Sequence, residues 1–523
     1  MFDVIPKVNA LHQYGGDVNF DGGIRLSFCE EAAPAASSFR NVVLRCCPSV
    51  AFTPDGKVSV SFEKDALLPP EGYVIDANGD SLTIKAAAPA GWTYAVCTIR
   101  QLLKPDRTER TMYVTFPCCR IEDSPRFTYR GFMLDEARNF FGETEVKRLL
   151  DLMCLYKLNV LHWHLSDDQG YRVESEAFPL LNEKSSRRND TQVGGTRSDK
   201  FTGLETSGMY TKNQIRQIVA YAAERNITVV PELDIPGHTS AILAAYPKLS
   251  CSGEKTDVPT TFGRLGRSVC PGHEENYAFL ERLIDEWCEL FPSKFFHIGA
   301  DEVAVAAWKN CPACAEAVRA NGLRNESELL TLFINRISEM LLSRGKFPIV
   351  WGDKLRRGLN RAVSYEAWMP LPKAEVDAQI SAGRKFVVAP YDFYYASNPY
   401  CIMPLKKTYK FEPTSIRRKK SGDAGIVGVE MPLWTEWVYD RRKIDFNLFP
   451  RLCALAETAW TAPSLKSYSD FRTRWSAHKK LLDDFEVGYA KDKLTDPGIV
   501  ARRKGAFIWK TADQYDEVRK NDL

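Results

Sequence analysis

Two adjacent acids, Asp301 and Glu302, follow an apolar run in the stretch FHIGADEV. Charged side chains are among the least often buried, so carboxylates at the tip of a core-like segment point to chemistry. Other reactive types end similar runs. Asp135 and Arg138 follow GFML, and His162, His164, Asp167 and Asp168 lie in NVLHWHLSDD. Glu232, Asp234 and His238 lie in VVPELDIPGH, Trp351 and Asp353 close FPIVWGD, and Trp368 ends VSYEAW. Tyrosines follow KFVVAP, and Trp434 and Glu436 close GIVGVEMPLWTE. No GxSxG elbow accompanies them. Carboxylates among tryptophans suit a sugar: flat indoles stack on a pyranose ring and acids bind its hydroxyls. Glycosidic cleavage needs a proton donor for the leaving oxygen and a stabiliser for positive charge at C1. Adjacent acids push each other's pKa apart, which suits one acid and one anion.

The elements that must position these residues alternate. Strand-like runs at 131–135, 159–165, 227–234, 295–302, 347–353, 363–368, 385–390 and 425–434 are mostly separated by helical patterns, such as 211–226, 274–290 and 325–344. Strand–helix alternation implies parallel strands, and eight such units close into a (β/α)8 TIM barrel whose active site lies at the C-terminal strand ends. A doubly wound sheet would need a glycine-rich turn after its first strand, and RGFMLDEARNF lacks one. Residues 1–126 read as a small α+β domain. Val58, Val60 and Phe62 alternate with polar residues, Asn78-Gly79 marks a hairpin, and Trp92, Ala95, Ile99 and Leu102 recur at helical steps. The expected division is 1–126 as accessory domain, 127–485 as barrel and 486–523 as a charged extension.

Five motifs, RGFMLDEARNF, NVLHWHLSDDQGYR, PELDIPGH, HIGADE and LWTEW, together resemble the family 20 glycoside hydrolases, the β-N-acetylhexosaminidases. The likeness runs in order from about residue 70 to 460. It implies a retaining reaction in which the sugar's own 2-acetamido oxygen attacks C1. By that resemblance Glu302 is the general acid and base, Asp301 orients the acetamide, and Asp167 and His238 relay a proton. Arg130 and Glu436 would bind outer hydroxyls, with His164 and Asp353 also at the substrate. Trp351, Trp368 and Trp434 would wall the acetamide, and Tyr395, with Tyr394 beside it, would donate to its oxygen. Asn139, Tyr171, Lys354 and Ser397 depart from the usual pattern.

The expected partner is a carbohydrate with a terminal 2-acetamido sugar. No cofactor and no metal are expected. An HxH at His162 and His164 offers a metal rival, and a catalytically dead sugar-binding barrel is another. Relatives that release a disaccharide or accept sulfated sugars would share the fold. Seventy basic and 67 acidic residues give a net charge of +3, which argues for neither nucleic acid nor an anionic membrane. No run of 18 apolar residues predicts a membrane span, and MFDVIPKVNA shows no signal peptide, so the expected compartment is the cytoplasm or, for a trimmed form, outside it. A homodimer is compatible with this reading. Among 14 cysteines, Cys311 and Cys314 form a Cys-x-x-Cys. No further pair lies at finger-like spacing, so these are expected as small buried hydrophobes. The polar, basic insertion at 182–203 reads as a solvated loop, with a lid or a contact for an acidic substrate or a second subunit as the alternative.

Overall fold

The computed structural model describes residues 2–107, 112–263, 265–418 and 422–511. The first domain is one mixed sheet of β1 (Ala10–Asn19), β2 (Ile24–Phe28), β3 (Val58–Lys64), β4 (Tyr73–Asn78), β5 (Ser81–Ala86), β6 (Lys104–Arg107) and β7 (Met112–Asp123). Its order is β1-β7-β4-β5-β3-β2, with β6 on β7. The Asn78-Gly79 turn joins β4 to β5, with Asn78 paired to Ser81. Val58, Val60 and Phe62 are buried and alternate with more exposed residues, as a one-sided sheet requires. Helices α1 (Ala33–Cys46) and α2 (Pro89–Leu102) accompany the sheet. The spacing in α2 predicts one apolar face, yet Trp92, Tyr94, Ala95, Val96, Cys97, Thr98 and Ile99 are all buried. The second face meets the barrel: Cys97 Sγ lies 3.2 Å from the Cys154 carbonyl.

The barrel strands are β8 (Tyr129–Asp135), β9 (Val160–Asp167), β10 (Thr228–Leu233), β11 (Phe295–His297), β12 (Phe347–Trp351), β13 (Ser364–Ala367), β14 (Phe386–Val388) and β15 (Ile426–Leu433). Each pairs in parallel with the next, and β15 pairs with β8 to close the ring. Helices α3 (Glu143–Leu155), α4 (Lys212–Ala223), α5 (Glu274–Leu290), α6 (Glu326–Ser343), α7 (Lys373–Ser381), α8 (Leu405–Lys410) and α9 (Arg451–Trp460) surround it. Every residue of β8 and β9 is buried, as strands covered on both faces must be. Thr211 and Gln214 cap α4 reciprocally, which satisfies two otherwise orphaned N–H groups.

Successive inward positions along a strand are two residues apart, so the interior is layered. The lowest layer is apolar, with Tyr129, Val160, Val230, Ile349 and Val387. The next is ionic. His162 Nδ1 lies 2.8 Å from Glu430 Oε1 and its Nε2 lies 3.0 Å from Glu232 Oε2. His297 Nδ1 lies 3.1 Å from Glu232 Oε1, and the Trp351 indole donates to the same oxygen at 2.7 Å. Burial and the neighbouring Glu430 hold the Glu366 carboxyl well above the usual range.

The domains share buried chemistry. Asp123 and Lys157 pair at 3.1 Å with both side chains fully enclosed. Asp123 Oδ2 also accepts from Tyr73 (2.7 Å) and from the Trp460 indole (2.9 Å). Trp460, the last residue of α9, packs in the core of the first domain. Of the charged C-terminal segment, residues 512–523 lie outside the described residues. The part before them carries helices at Asp492–Thr495 and Ile499–Thr511, and Asp492 and Asp496 bond Lys479 and the Lys406 backbone. The insertion at 182–203 is more ordered than a solvated loop. It forms two short antiparallel ladders, 187–188 with 206–207 and 192–193 with 200–201, around a buried Arg188.

Candidate active site

Above the ionic layer, the C-terminal ends of the strands bring the acids together. The turn after β11 carries Asp301 and Glu302. Gly299, Ala300 and Glu302 all adopt positive φ (62°, 68° and 48°), as does the facing His238 (50°). Non-glycine residues held there are strained and cluster at functional sites. Gly299 has no substitute: a Cβ would sit 1.8 Å from Asp234 Oδ1. That close approach lets Asp234 accept from the Ala300 N–H at 3.2 Å and fixes the turn.

Asp301 is 8% exposed, and its Oδ1 is buried with no hydrogen-bond partner among the described residues. Burial, with the Glu232 and Glu302 charges added, lifts its carboxyl to about 7 against the pull of His238. His238 Nε2 stands 3.9 Å from both Asp301 Oδ2 and Glu302 Oε2. Its Nδ1 faces Asp167 Oδ1 at 3.2 Å and Asp168 Oδ2 at 3.4 Å. Burial opposes charge on this imidazole, but the Asp167 and Asp168 carboxylates win and hold it well above the usual histidine range. Asp167 in turn meets Arg138 Nη2 at 2.7 Å and His164 Nε2 at 2.9 Å. These cations overcome its burial and keep it ionised far into acid. His164 bonds Glu232 through Nδ1, and despite burial Glu232 and Asp167 raise it to about 10. A continuous chain thus runs from Glu302 through His238, Asp167 and His164 into the ionic layer.

Aromatic rings border the acids. Trp351 and Trp434 have centroids 5.6 Å apart, and Tyr395 lies 6.1 Å from Trp434 and stacks on Trp368 at 6.0 Å. Burial and the Asp301 charge push the Tyr395 phenol well above its usual range, which keeps it a donor. Tyr394 points elsewhere, edge-on to Phe411. Asp353 and Glu436 are each raised by burial, partly offset by Arg356 and Arg138 respectively.

One expected residue is elsewhere. Arg130 sits near the start of β8, and active sites collect at strand ends. Its guanidinium is fully buried against the first domain, bonded to Glu71 (2.7 Å), Tyr94 (2.9 Å) and the Phe127 carbonyl (2.7 Å). No donor is left to reach a sugar. The arginine at the site is Arg138, whose Cζ lies 4.9 Å from the Trp434 ring centre and whose charge offsets that of Glu436. Among the atypical positions, Tyr171 is buried behind the site and accepts from the Trp287 indole at 2.8 Å. Asn139 donates to the Thr435 carbonyl at 2.5 Å. Beyond the site, Cys311 and Cys314 do have further cysteines beside them: Cys251 and Cys270, from the preceding βα loop.

A closed parallel barrel with paired carboxylates and tryptophans on its C-terminal rim has the build of a barrel glycoside hydrolase. The catalytic-domain profile of glycosyl hydrolase family 20 matches residues 127–463 and that family's domain 2 matches residues 1–124. The chain belongs to glycosyl hydrolase family 20. A β-hexosaminidase of Porphyromonas gingivalis is 33% identical over 82% of this chain. The chain spans 56% of that relative's length, against 88% for a β-hexosaminidase of Akkermansia muciniphila at 29% identity over 84% of this chain. The exo-β-N-acetylglucosaminidase of Vibrio harveyi, solved with N-acetylglucosamine, superposes with a TM-score of 0.84 at 30% identity, covering 94% of this chain and 78% of that one. The family 20 β-N-acetylhexosaminidase of Streptomyces coelicolor gives a TM-score of 0.80 at 27% identity, over 94% and 98%.

Proposed function

We propose that the protein is a retaining exo-β-N-acetylhexosaminidase that removes terminal N-acetylglucosamine or N-acetylgalactosamine by substrate-assisted catalysis. The observation that carries this reading is the buried Asp301 Oδ1, an acceptor with no donor beside it among the described residues. Such an acceptor is costly unless something pairs with it, and an acetamide N–H supplies the missing donor. In the first step the acetamide carbonyl oxygen bonds to C1 as the C1–O bond to the aglycone breaks. Glu302 gives its proton to the departing oxygen. The positive charge spread over the resulting oxazolinium nitrogen is met by the Asp301 carboxylate. In the second step water adds to C1, Glu302 takes its proton, and the acetamide oxygen leaves with the configuration at C1 retained.

The remaining residues have supporting roles in this proposal. His238, charged and held by Asp167 and Asp168, sits 3.9 Å from Glu302 and tunes its proton exchange. Tyr395 donates to the acetamide oxygen, while Trp351, Trp368 and Trp434 enclose the methyl group. Arg138, in place of Arg130, and Glu436 hold the outer hydroxyls, with Asp353 beside them. A panel of chromogenic glycosides with and without the 2-acetamido group tests the reading. Cleavage confined to the acetamido sugars is expected, together with inhibition by a thiazoline mimic of the intermediate. Equal cleavage of plain glucosides would overturn it.

A further inference from the structure

Four cysteines from two separate loops meet beside the catalytic loops. Cys251 and Cys270 come from the loop after β10, Cys311 and Cys314 from the loop after β11. The cluster is tight. Cys270 Sγ lies 3.4 Å from Cys314 Sγ and 3.7 Å from Cys311 Sγ, and Cys251 Sγ lies 3.8 Å from Cys314 Sγ. All four sulfurs fall within 4.8 Å of one another. A disulfide needs about 2.05 Å between sulfurs, and none of the four is bonded that way. A tetrahedral thiolate site with ~2.3 Å metal–sulfur bonds has sulfur–sulfur edges of about 3.8 Å. The cluster therefore has the size of a four-thiolate metal cage.

The backbone around it is built to hold that shape. Cys311 is the N-cap of the helix Pro312–Ala320, so Cys314 falls in its first turn. The free N–H groups and partial positive charge of a helix start favour thiolate there. On the other limb, the isolated antiparallel Ser250–Val269 bridge has Cys251 and Cys270 directly after its two members, and the Cys270 N–H donates to the Leu249 carbonyl at 2.8 Å. The two limbs press together at Gly272, where a Cβ would lie 2.4 Å from the Ala313 carbonyl carbon and 2.5 Å from the Cys314 nitrogen. Any larger residue would force them apart. Cys270, Cys311 and Cys314 are buried and Cys251 is half-buried.

We propose that Cys251, Cys270, Cys311 and Cys314 bind one zinc ion as a closed structural site. Four thiols lose four protons and the ion takes four sulfurs, with no change of oxidation state and no open position for water. The site clamps the two loops that carry the reactive groups. The Val269 N–H donates at 2.9 Å to the carbonyl of Pro236, two residues before His238. On the other limb, Glu302 lies nine residues before Cys311. Zinc thus fixes the facing of His238 on Glu302 without touching substrate.

The test is elemental analysis and native mass spectrometry of the full chain, purified under reducing conditions, dialysed against one equivalent of zinc and then against metal-free buffer. About one zinc per chain is expected, and cobalt in its place should give a thiolate charge-transfer band and intense tetrahedral ligand-field bands. In Cys251→Ser, which alters the least buried ligand, and in Cys311→Ser with Cys314→Ser, the zinc content should fall at least tenfold and the cobalt bands vanish. Stripping the wild type with chelator under reducing conditions should lower its melting temperature, and zinc should restore it. The wild-type measurements stand even where a variant fails to fold. A reduced, folded wild type with no zinc after dialysis and no tetrahedral cobalt spectrum overturns the proposal. So does a mass four hydrogens short with no metal, which marks two disulfides.

Discussion

At the scale of single residues, Asp301 and Glu302 make opposite demands on protonation. Glu302→Gln is expected to cut kcat by roughly 10²–10⁴-fold, the usual worth of a general acid, with an unchanged circular dichroism spectrum. Asp301 must be ionised to meet the oxazolinium charge, yet burial lifts its carboxyl from 3.8 to about 7. The acid limb of kcat/KM, which reports the free enzyme, is therefore expected near pH 7, and Asp301→Asn should erase that limb along with most of the activity. The stability sign runs the other way. A folded pKa above the unfolded one favours the protonated fold, so this contribution is complete below about 3.8 and is lost as pH rises through about 7. Denaturant midpoints of wild type and Asp301→Asn across that window check it: the variant should lose less stability on the way up. The two arginines of RGFMLDEAR separate in the same manner. Arg138→Ala should raise KM or lower kcat/KM, whereas Arg130→Ala, which strips the half-buried Glu71 of its partner and empties a fully enclosed site, should lower the melting temperature instead.

At the scale of elements, the barrel was readable and part of its chemistry was not. Strands such as GFMLD and NVLHWHL are buried on both faces, so their apolar runs stand out in sequence. The polar ends of those runs led to Asp301, Glu302, His238 and Asp167. Arg130 was misplaced because the motif match outweighed position: it precedes its strand's apolar run, whereas Arg138 follows Asp135 at the end that faces substrate. The ionic layer of His162, Glu232, His297 and Glu430 was legible only as scattered polar letters, since period-two alternation across four strands decides that they meet. The cysteine cluster left less trace still. Its members are 41, 44 and 63 residues apart where they touch, and only loop contact joins them. Gly299→Ala gives a direct test at this scale. It adds a methyl 1.8 Å from the Asp234 carboxylate at a φ of 62°, so loss of activity and a destabilisation of a few kcal/mol, on the order set by backbone strain and buried clashes, are expected in chemical denaturation.

At the scale of the whole molecule, the first domain and the barrel hold each other through Asp123, Lys157, Tyr73 and Trp460. Removing one partner of a buried ion pair costs about 3–5 kcal/mol because the other charge is stranded. Asp123→Ala is therefore expected to lower the stability of both domains by that order, seen as one shifted calorimetric transition rather than two. Trp460 carries a consequence for biosynthesis. The sheet of the first domain has a hole in its interior shaped for a side chain that follows its last strand by 337 residues. Until that indole arrives the nascent accessory domain stays incomplete, so its folding must wait for the end of the barrel.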